Sequence, residues 1–263
     1  MGSLILGGII LGIYTGLLGY VGAKTGLSLD LLSQRAFGEK GSYLPSAMTS
    51  FTQIGWFSVG SFVSGGTATP NFARFAKNGK SGAITTVVAF FIGNSLMFFF
   101  GAVSSIFVGG NDIFEVMVRL NLFYLAVLVL GLNIWTTNDN ALYTAGLGLA
   151  NIFHQRKKPM VLLSGIIGTV ASVWLYYNFC GWLNILNCTL PPVGMILVLA
   201  YFMNKEDFET DQPKLKTVDW FAVAGVILGA IVANLLHWGI ASINGMVVAA
   251  VCYCVGQAVN KRK

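Results

Sequence analysis

Hydrophobic residues fall along this chain in long unbroken blocks, at 1–22, 44–66, 81–108, 121–151, 159–179, 180–203, 219–236 and 238–259. Most reach the roughly 20 residues that a helix needs to cross a hydrocarbon core. Inside lipid every backbone group must be satisfied within the segment, so the blocks predict helices, about eight of them. The pattern therefore predicts an all-α, polytopic transmembrane helical bundle, read as a single transmembrane domain over 1–263. Met1 to Gly22 lacks a basic leading region and a small-residue cleavage site, so it reads as a span and not as a cleaved signal peptide.

Composition agrees: 55% of the 263 residues are hydrophobic and 10% are charged, against about 25% charged in soluble domains. The net charge of +6 is spread over short clusters between the apolar blocks: Lys24/Arg35/Lys40, Arg74/Lys77/Lys80, Arg156/Lys157/Lys158, Lys205/Lys214/Lys216 and Lys261/Arg262/Lys263. No single basic patch offers itself to a nucleic acid, and scattered clusters of this kind mark cytoplasmic loops. Counting back from a cytoplasmic C-terminus puts the clusters at 205–216, 156–158 and 74–80 inside and the weakly basic loop 109–120 outside. The count then fails once. Block 44–66 separates loops 23–43 and 74–80, which both belong inside, and a single helix cannot begin and end on one side. Either the block is re-entrant or an odd number of crossings is missing between Pro45 and Arg74.

Polar residues inside the apolar blocks are the candidates for chemistry, because a bilayer tolerates them only against a cavity or each other. In block 121–151, Asn133, Thr136, Thr137, Asn140 and Thr144 recur at i, i+3, i+4, i+7 and i+11, a stripe on one helix face. Such a stripe lines a cavity or glues helices together by hydrogen bonds. Adjacent threonine hydroxyls with a nearby carbonyl or amide oxygen form a hard-oxygen set suited to a monovalent cation. Asp139, beside the stripe, could carry a proton, touch a substrate or pair with a basic residue, and the sequence does not choose. In block 44–66, Gln53 and Trp56 share a helix face. An amide beside a broad aromatic plane suits a flat heterocycle that stacks and bonds at its edge; an interfacial tryptophan is the competing reading. Phe62 could supply a second aromatic wall. The same block is rich in glycine and serine, as in close helix packing or an interrupted helix lining a site.

Catalytic groups are scarce. His154 and His237 lie at block edges, and no serine-histidine-carboxylate set, glycine-rich phosphate loop or paired-acid cleft is present. Cys180, Cys188, Cys252 and Cys254 have no metal-site spacing and read as small buried apolar residues. No resident cofactor is implied, and an enzyme is not expected.

Four strings carry a likeness to a known family: Gly131 to Tyr143, Gln53 to Phe57, Gly19 to Leu27, and Ser61 to Ser64 leading to Phe72–Phe75. They resemble the nucleobase-cation-symport-1 family, and within it the cytosine-transporting members, over essentially the whole chain. The resemblance implies a partial leucine-transporter-like fold in the bacterial inner (plasma) membrane, with cytosine or a related nucleobase and sodium as the transported partners and lipid around it. It implies that Trp56 stacks on the base, that Gln53 bonds its edge, and that Ser61, Phe62 and Ser64 form an unwound substrate-side segment in which Phe62 closes the other face while a backbone group or Ser64 meets the polar edge. It also implies that the Asn133 carbonyl and the Thr136 and Thr137 hydroxyls hold sodium. Asn138 and Asp139 are further substrate-side residues on the same grounds. The likeness starts at the family's helix 2, without helix 1, and near Gly60/Ser61 it passes from mid helix 3 to mid helix 6. That omission amounts to three crossings, which would account for the parity failure. The alternative to a shortened sodium-coupled transporter is a non-transporting truncated membrane protein or incomplete gene product.

Overall fold

The computed structural model describes residues 2–59, 68–109, 113–210, 213, 215–236 and 239–260. Among these it is all helical, with twelve helices. Eight are long: α1 (Gly2–Thr25), α3 (Tyr43–Val59), α5 (Gly79–Val108, with a π-helical turn at Val88–Gly93), α7 (Phe123–Phe153), α8 (Lys157–Tyr177), α9 (Phe179–Met203), α11 (Trp220–Leu235) and α12 (Ala241–Asn260). Their limits follow the apolar blocks to within a few residues, with α3 described as far as Val59. The short helices α2 (Leu29–Phe37), α4 (Pro70–Ala73), α6 (Ile113–Arg119) and α10 (Lys205–Glu209) lie in the connections.

Four of the described helices are long and apolar enough to cross a membrane: α5, α8, α9 and α12. The chain is a multi-pass membrane protein. Of the most apolar stretch of α9, 61% is buried, against 6% in α5 and 17% in α8. Helix α9 is therefore the core helix, and the others turn apolar sides outward, where lipid stands in for a protein core. Around α9 gather Leu18 and Val21 of α1, Leu32 and Phe37 of α2, Val226 of α11 and Tyr253 of α12. Helix α7 has the length of a span, but its polar run keeps it out of the apolar set.

Two helical bodies flank α9. In the first, α1 packs on α4 and α5 through small residues: a Cβ added at Gly22 would lie 2.7 Å from the Pro70 Cα, and one at Gly82 would lie 2.9 Å from the Gly19 carbonyl. In the second, α3, α7 and α8 pack on one another. Among the described residues no extensive packing joins α1 or α5 to α3, α7 or α8.

The loops resolve the parity failure geometrically. Glu39 and Lys40 donate backbone hydrogen bonds to the Lys216 and Thr217 carbonyls at 2.7 and 2.8 Å, tying loop 38–42 to loop 215–219. Gly38, at φ +87°, lets the chain turn there with no room for a Cβ. Lys24 pairs with Glu209 at 3.8 Å, Arg35 donates to the Asp207 carbonyl at 2.6 Å, and the Tyr43 hydroxyl meets His154 at 2.7 Å. Gly79 abuts Tyr20 and Lys24. The basic loops around residues 24–40, 74–80, 154–158 and 204–216 thus share one face. Block 44–66 leaves that face along α3, and by Asn71 the chain is back beside Leu29, whose N–H the Asn71 side chain accepts at 2.8 Å. A helix within loop 23–43 was not expected; Ser28 caps α2, its hydroxyl accepting from the Leu31 N–H.

Candidate substrate and ion site

The packing of α3 on α7 brings the candidate residues together. Two contacts set its register: Asn151 donates to the Ser46 hydroxyl at 2.9 Å, and the Ser50 hydroxyl donates to the Ala145 carbonyl at 3.1 Å. One helix ascends as the other descends, so each step along α3 is matched by a step back along α7. At about 1.5 Å per residue, this carries Gln53 to the level of the Tyr143–Thr144 turn and Trp56 to the level of Asp139 and Asn140. Gly148 makes the approach possible: a Cβ there would sit 2.8 Å from the Ser46 carbonyl.

Gln53 is buried at 7% exposure. Trp56 lies in α3, and its side chain is outside the described residues; Ser61, Phe62 and Ser64 also fall outside them. On α7, the Asn138 Oδ1 and the Thr144 Oγ1 are buried with no hydrogen-bond partner. Buried polar atoms are nearly always paired; these two stand unpaired about 9 Å apart along the helix that packs on α3. Asp139 is exposed.

The cation candidates form a partial cradle. The Thr136 hydroxyl donates to the Asn133 carbonyl at 3.0 Å and the Leu132 carbonyl at 3.1 Å, and the Thr137 hydroxyl reaches the Asn133 side-chain oxygen at 3.5 Å. The donor atoms named from sequence therefore lie within one helical turn. Asn133 and Thr136 are exposed, and a Cβ added at Gly131 would meet nothing within 4 Å. The described residues thus offer oxygens from one side only. The stripe also divides where the sequence predicts one continuous lining: Asn133, Thr136 and Asn140 are exposed, whereas Thr144 is 1% exposed against the neighbouring helices. Of the cysteines, all four free, only Cys188 is buried, and Cys180 and Cys254 are exposed. Their spans face outward at those positions, which corrects the expectation of burial.

A buried charged group lies nearer the basic face. Asp30, in the first turn of α2, is 5% exposed and accepts from the Ser46 hydroxyl at 2.6 Å. Arg74, just past α4, donates to the Tyr143 hydroxyl of α7. A charged residue inside the run Leu29-Asp30-Leu31-Leu32 was the available signal, but nothing local pairs it with residues far along the chain.

This architecture defines an all-α polytopic membrane bundle, with the candidate polar residues gathered where two of its helices pack. A family described as "Permease for cytosine/purines, uracil, thiamine, allantoin" matches the chain in two stretches, residues 1–68 and 58–259. Cytosine permeases of Escherichia coli strains K12, O6:H1 and O157:H7 are each 35% identical to it over 354 residues, covering 99% of this chain and 84% of the relative. The chain belongs to this family of permeases.

Proposed function

We propose that the chain descends from sodium-coupled nucleobase permeases and keeps their base-binding region between α3 and α7. Cytosine or a related nucleobase stacks on Trp56, with Phe62 on its other face, and meets Gln53, Asn138 and the Ser61–Ser64 segment at its edge. Asp139 stands at the rim of the same region. The observation that carries this reading is the α3–α7 register, which sets buried Gln53 and the level of Trp56 beside the unpartnered oxygens of Asn138 and Thr144. Sodium is the co-substrate, held by the Asn133 carbonyl and the Thr136 and Thr137 hydroxyls. The basic face and the C-terminus lie in the cytoplasm of a bacterial cell whose inner membrane holds the protein.

A second, compatible reading is that the chain alone does not run a coupled cycle. The two family matches meet over residues 58–68, and the alignment to the relatives is 354 positions long against a chain of 263 residues. We infer an internal junction near Gly60/Ser61, where a segment present in the relatives has no counterpart. The one-sided cation cradle is what such an omission would leave. Proteoliposomes containing only this chain, given radiolabelled cytosine and an inward sodium gradient, should accumulate no more than empty vesicles. Sodium-driven accumulation would overturn this reading. Competition by purines, hydantoins, allantoin and thiamine precursors in the binding assay would rank the substrates within the class.

A further inference from the structure

The two helical bodies that flank α9 touch little, yet at the basic face they are fastened by a set of buried and half-buried polar groups. Asp30 of α2 accepts from Ser46 of α3 at 2.6 Å. Asn151 of α7 donates to the hydroxyls of the same Ser46 and of Ser42, at 2.9 and 3.1 Å, and accepts from Gln34 of α2 at 2.6 Å. From the other body, Asn71 of α4 accepts the Leu29 N–H at 2.8 Å, and Arg74 donates to Tyr143 of α7 while its charge acts on Asp30. Phe72 lies against the Tyr143 ring at 6.2 Å between centroids. Both bodies therefore meet around α2 here: Ser46 of α3 bonds the Asp30 carboxyl group directly, and Arg74, just past α4, acts on it through its charge.

We propose that Asp30 is a proton-binding site whose occupancy fastens this latch between the α1–α4–α5 body and the α3–α7–α8 body. The physical reason is burial. A carboxylate withdrawn from water costs far more than a carboxylic acid in the same place. Burial drives the Asp30 group up to about 6, although the Ser46 hydroxyl and the Arg74 guanidinium both pull it down. When the latch opens and water reaches Asp30, its affinity for a proton returns to the ordinary carboxylate range. By linkage a proton therefore favours the closed latch, and ionisation favours the open one. The Arg74 Nε and the Asn71 Nδ2 are buried without partners in the closed arrangement, so opening also hydrates two idle donors.

Several other charged groups on the elements around α2 have partners of their own, and the Glu206 and Asp207 side chains of α10 are exposed. Lys216 pairs with Asp219 at 3.2 Å, Glu209 with Lys24 at 3.8 Å and with the Tyr201 hydroxyl at 3.0 Å, and Arg35 with the Asp207 carbonyl. Lys157 lies over the Tyr143 ring, 3.4 Å from its centre. His154, just past the end of α7, meets the Tyr43 hydroxyl at 2.7 Å.

In a permease that works by rocking one body against another, such a latch would tie the cytoplasmic opening to pH. That use rests on the proposed function, but the latch can be tested without any nucleobase. Spin labels at Asn78 and Gln155, one on each body and both exposed, report the separation in the full chain. The wild type should give a narrow distance distribution at pH 5 that broadens or lengthens at pH 8, with a midpoint near 6. Asp30→Asn, which cannot ionise, should stay narrow at both pH values. Arg74→Gln should be broad at both, and Arg74→Lys, which keeps the charge and guards against a folding defect, should move toward the wild type. His154→Gln should leave the midpoint in place. A wild-type distribution that does not change between pH 5 and pH 8 overturns the proposal, as does an Asp30→Asn protein that keeps the wild-type pH response. Loss of nucleobase binding with these distances intact would count against the proposed function alone.

Discussion

Gly148→Ala is the sharpest test of the α3–α7 contact that assembles the site. The added methyl would sit 2.8 Å from the Ser46 carbonyl, a backbone atom that cannot swing aside, and would also strike the Ser50 hydroxyl. Ser50 is 1% exposed and holds α3 to α7 through the Ala145 carbonyl at 3.1 Å. Forcing a methylene into a packed interface costs about 1–3 kcal/mol, and loss of one buried hydrogen bond adds about 1 kcal/mol. Gly-to-Ala helix propensity returns at most about 1 kcal/mol, so the net loss is about 1–3 kcal/mol. For a chain of this length that is a fall in melting temperature of roughly 2–10 °C. Gly131→Ala is the matched control on the same helix: its Cβ meets nothing within 4 Å, so it gains the propensity without the clash. Thermal unfolding in detergent, followed by thiol-reactive dye or light scattering, reads both. If Gly148→Ala melts at or above the wild type, or if the two substitutions have the same effect, the α3–α7 register and the site built on it are wrong.

Further expectations concern charge, topology and the ion. Asp30 has its folded-state value raised from 3.8 to about 6, so its neutral form contributes stability that is fully present below about pH 4 and is lost as pH rises through 6. At 1.36 kcal/mol per unit this amounts to about 3 kcal/mol. Asp30→Asn should flatten the fall in melting temperature between pH 4 and pH 8; an unchanged slope would refute the assignment. Single cysteines placed at Arg35 and Lys77 should label from the same side of the membrane, because their loops share one face with 215–219 and 154–158; labelling from opposite sides would make residues 44–66 an ordinary single crossing. Thr136→Val keeps the side-chain shape and loses an oxygen whose helical partners are satisfied without it. It should leave stability within about 0.5 kcal/mol and abolish any sodium enhancement of nucleobase binding, measured as the ratio of affinities in sodium and potassium.

Much of the fold was legible because membrane helices announce themselves in run length. The ends of α5, α8, α9 and α11 fall within a few residues of the apolar blocks. Loop charge also puts 23–43 and 74–80 on one side, in keeping with Asn71 beside Leu29. The candidate site was legible in part. Asn133, Thr136 and Thr137 stand out against an oily helix, and their mutual contacts within one turn follow from helical spacing alone. Their exposure does not follow, since a periodic stripe says which residues share a face and not what covers it. The Asp30 network was illegible for a related reason: Asp30 meets Ser46, Arg74 acts on both Asp30 and Tyr143, and Asn151 returns to Ser46 from over a hundred residues away. Such pairings are made by tertiary packing and leave no local pattern.

The central claim, that a nucleobase binds on the α3–α7 pair, is tested most directly by equilibrium binding of radiolabelled cytosine to the purified chain and to its Trp56→Ala variant, with and without sodium. Base stacking on an aromatic ring is worth about 1–3 kcal/mol, so binding should be saturable in the wild type and about 5–150-fold weaker in the variant. No saturable binding, or equal affinity in both proteins, would contradict the account.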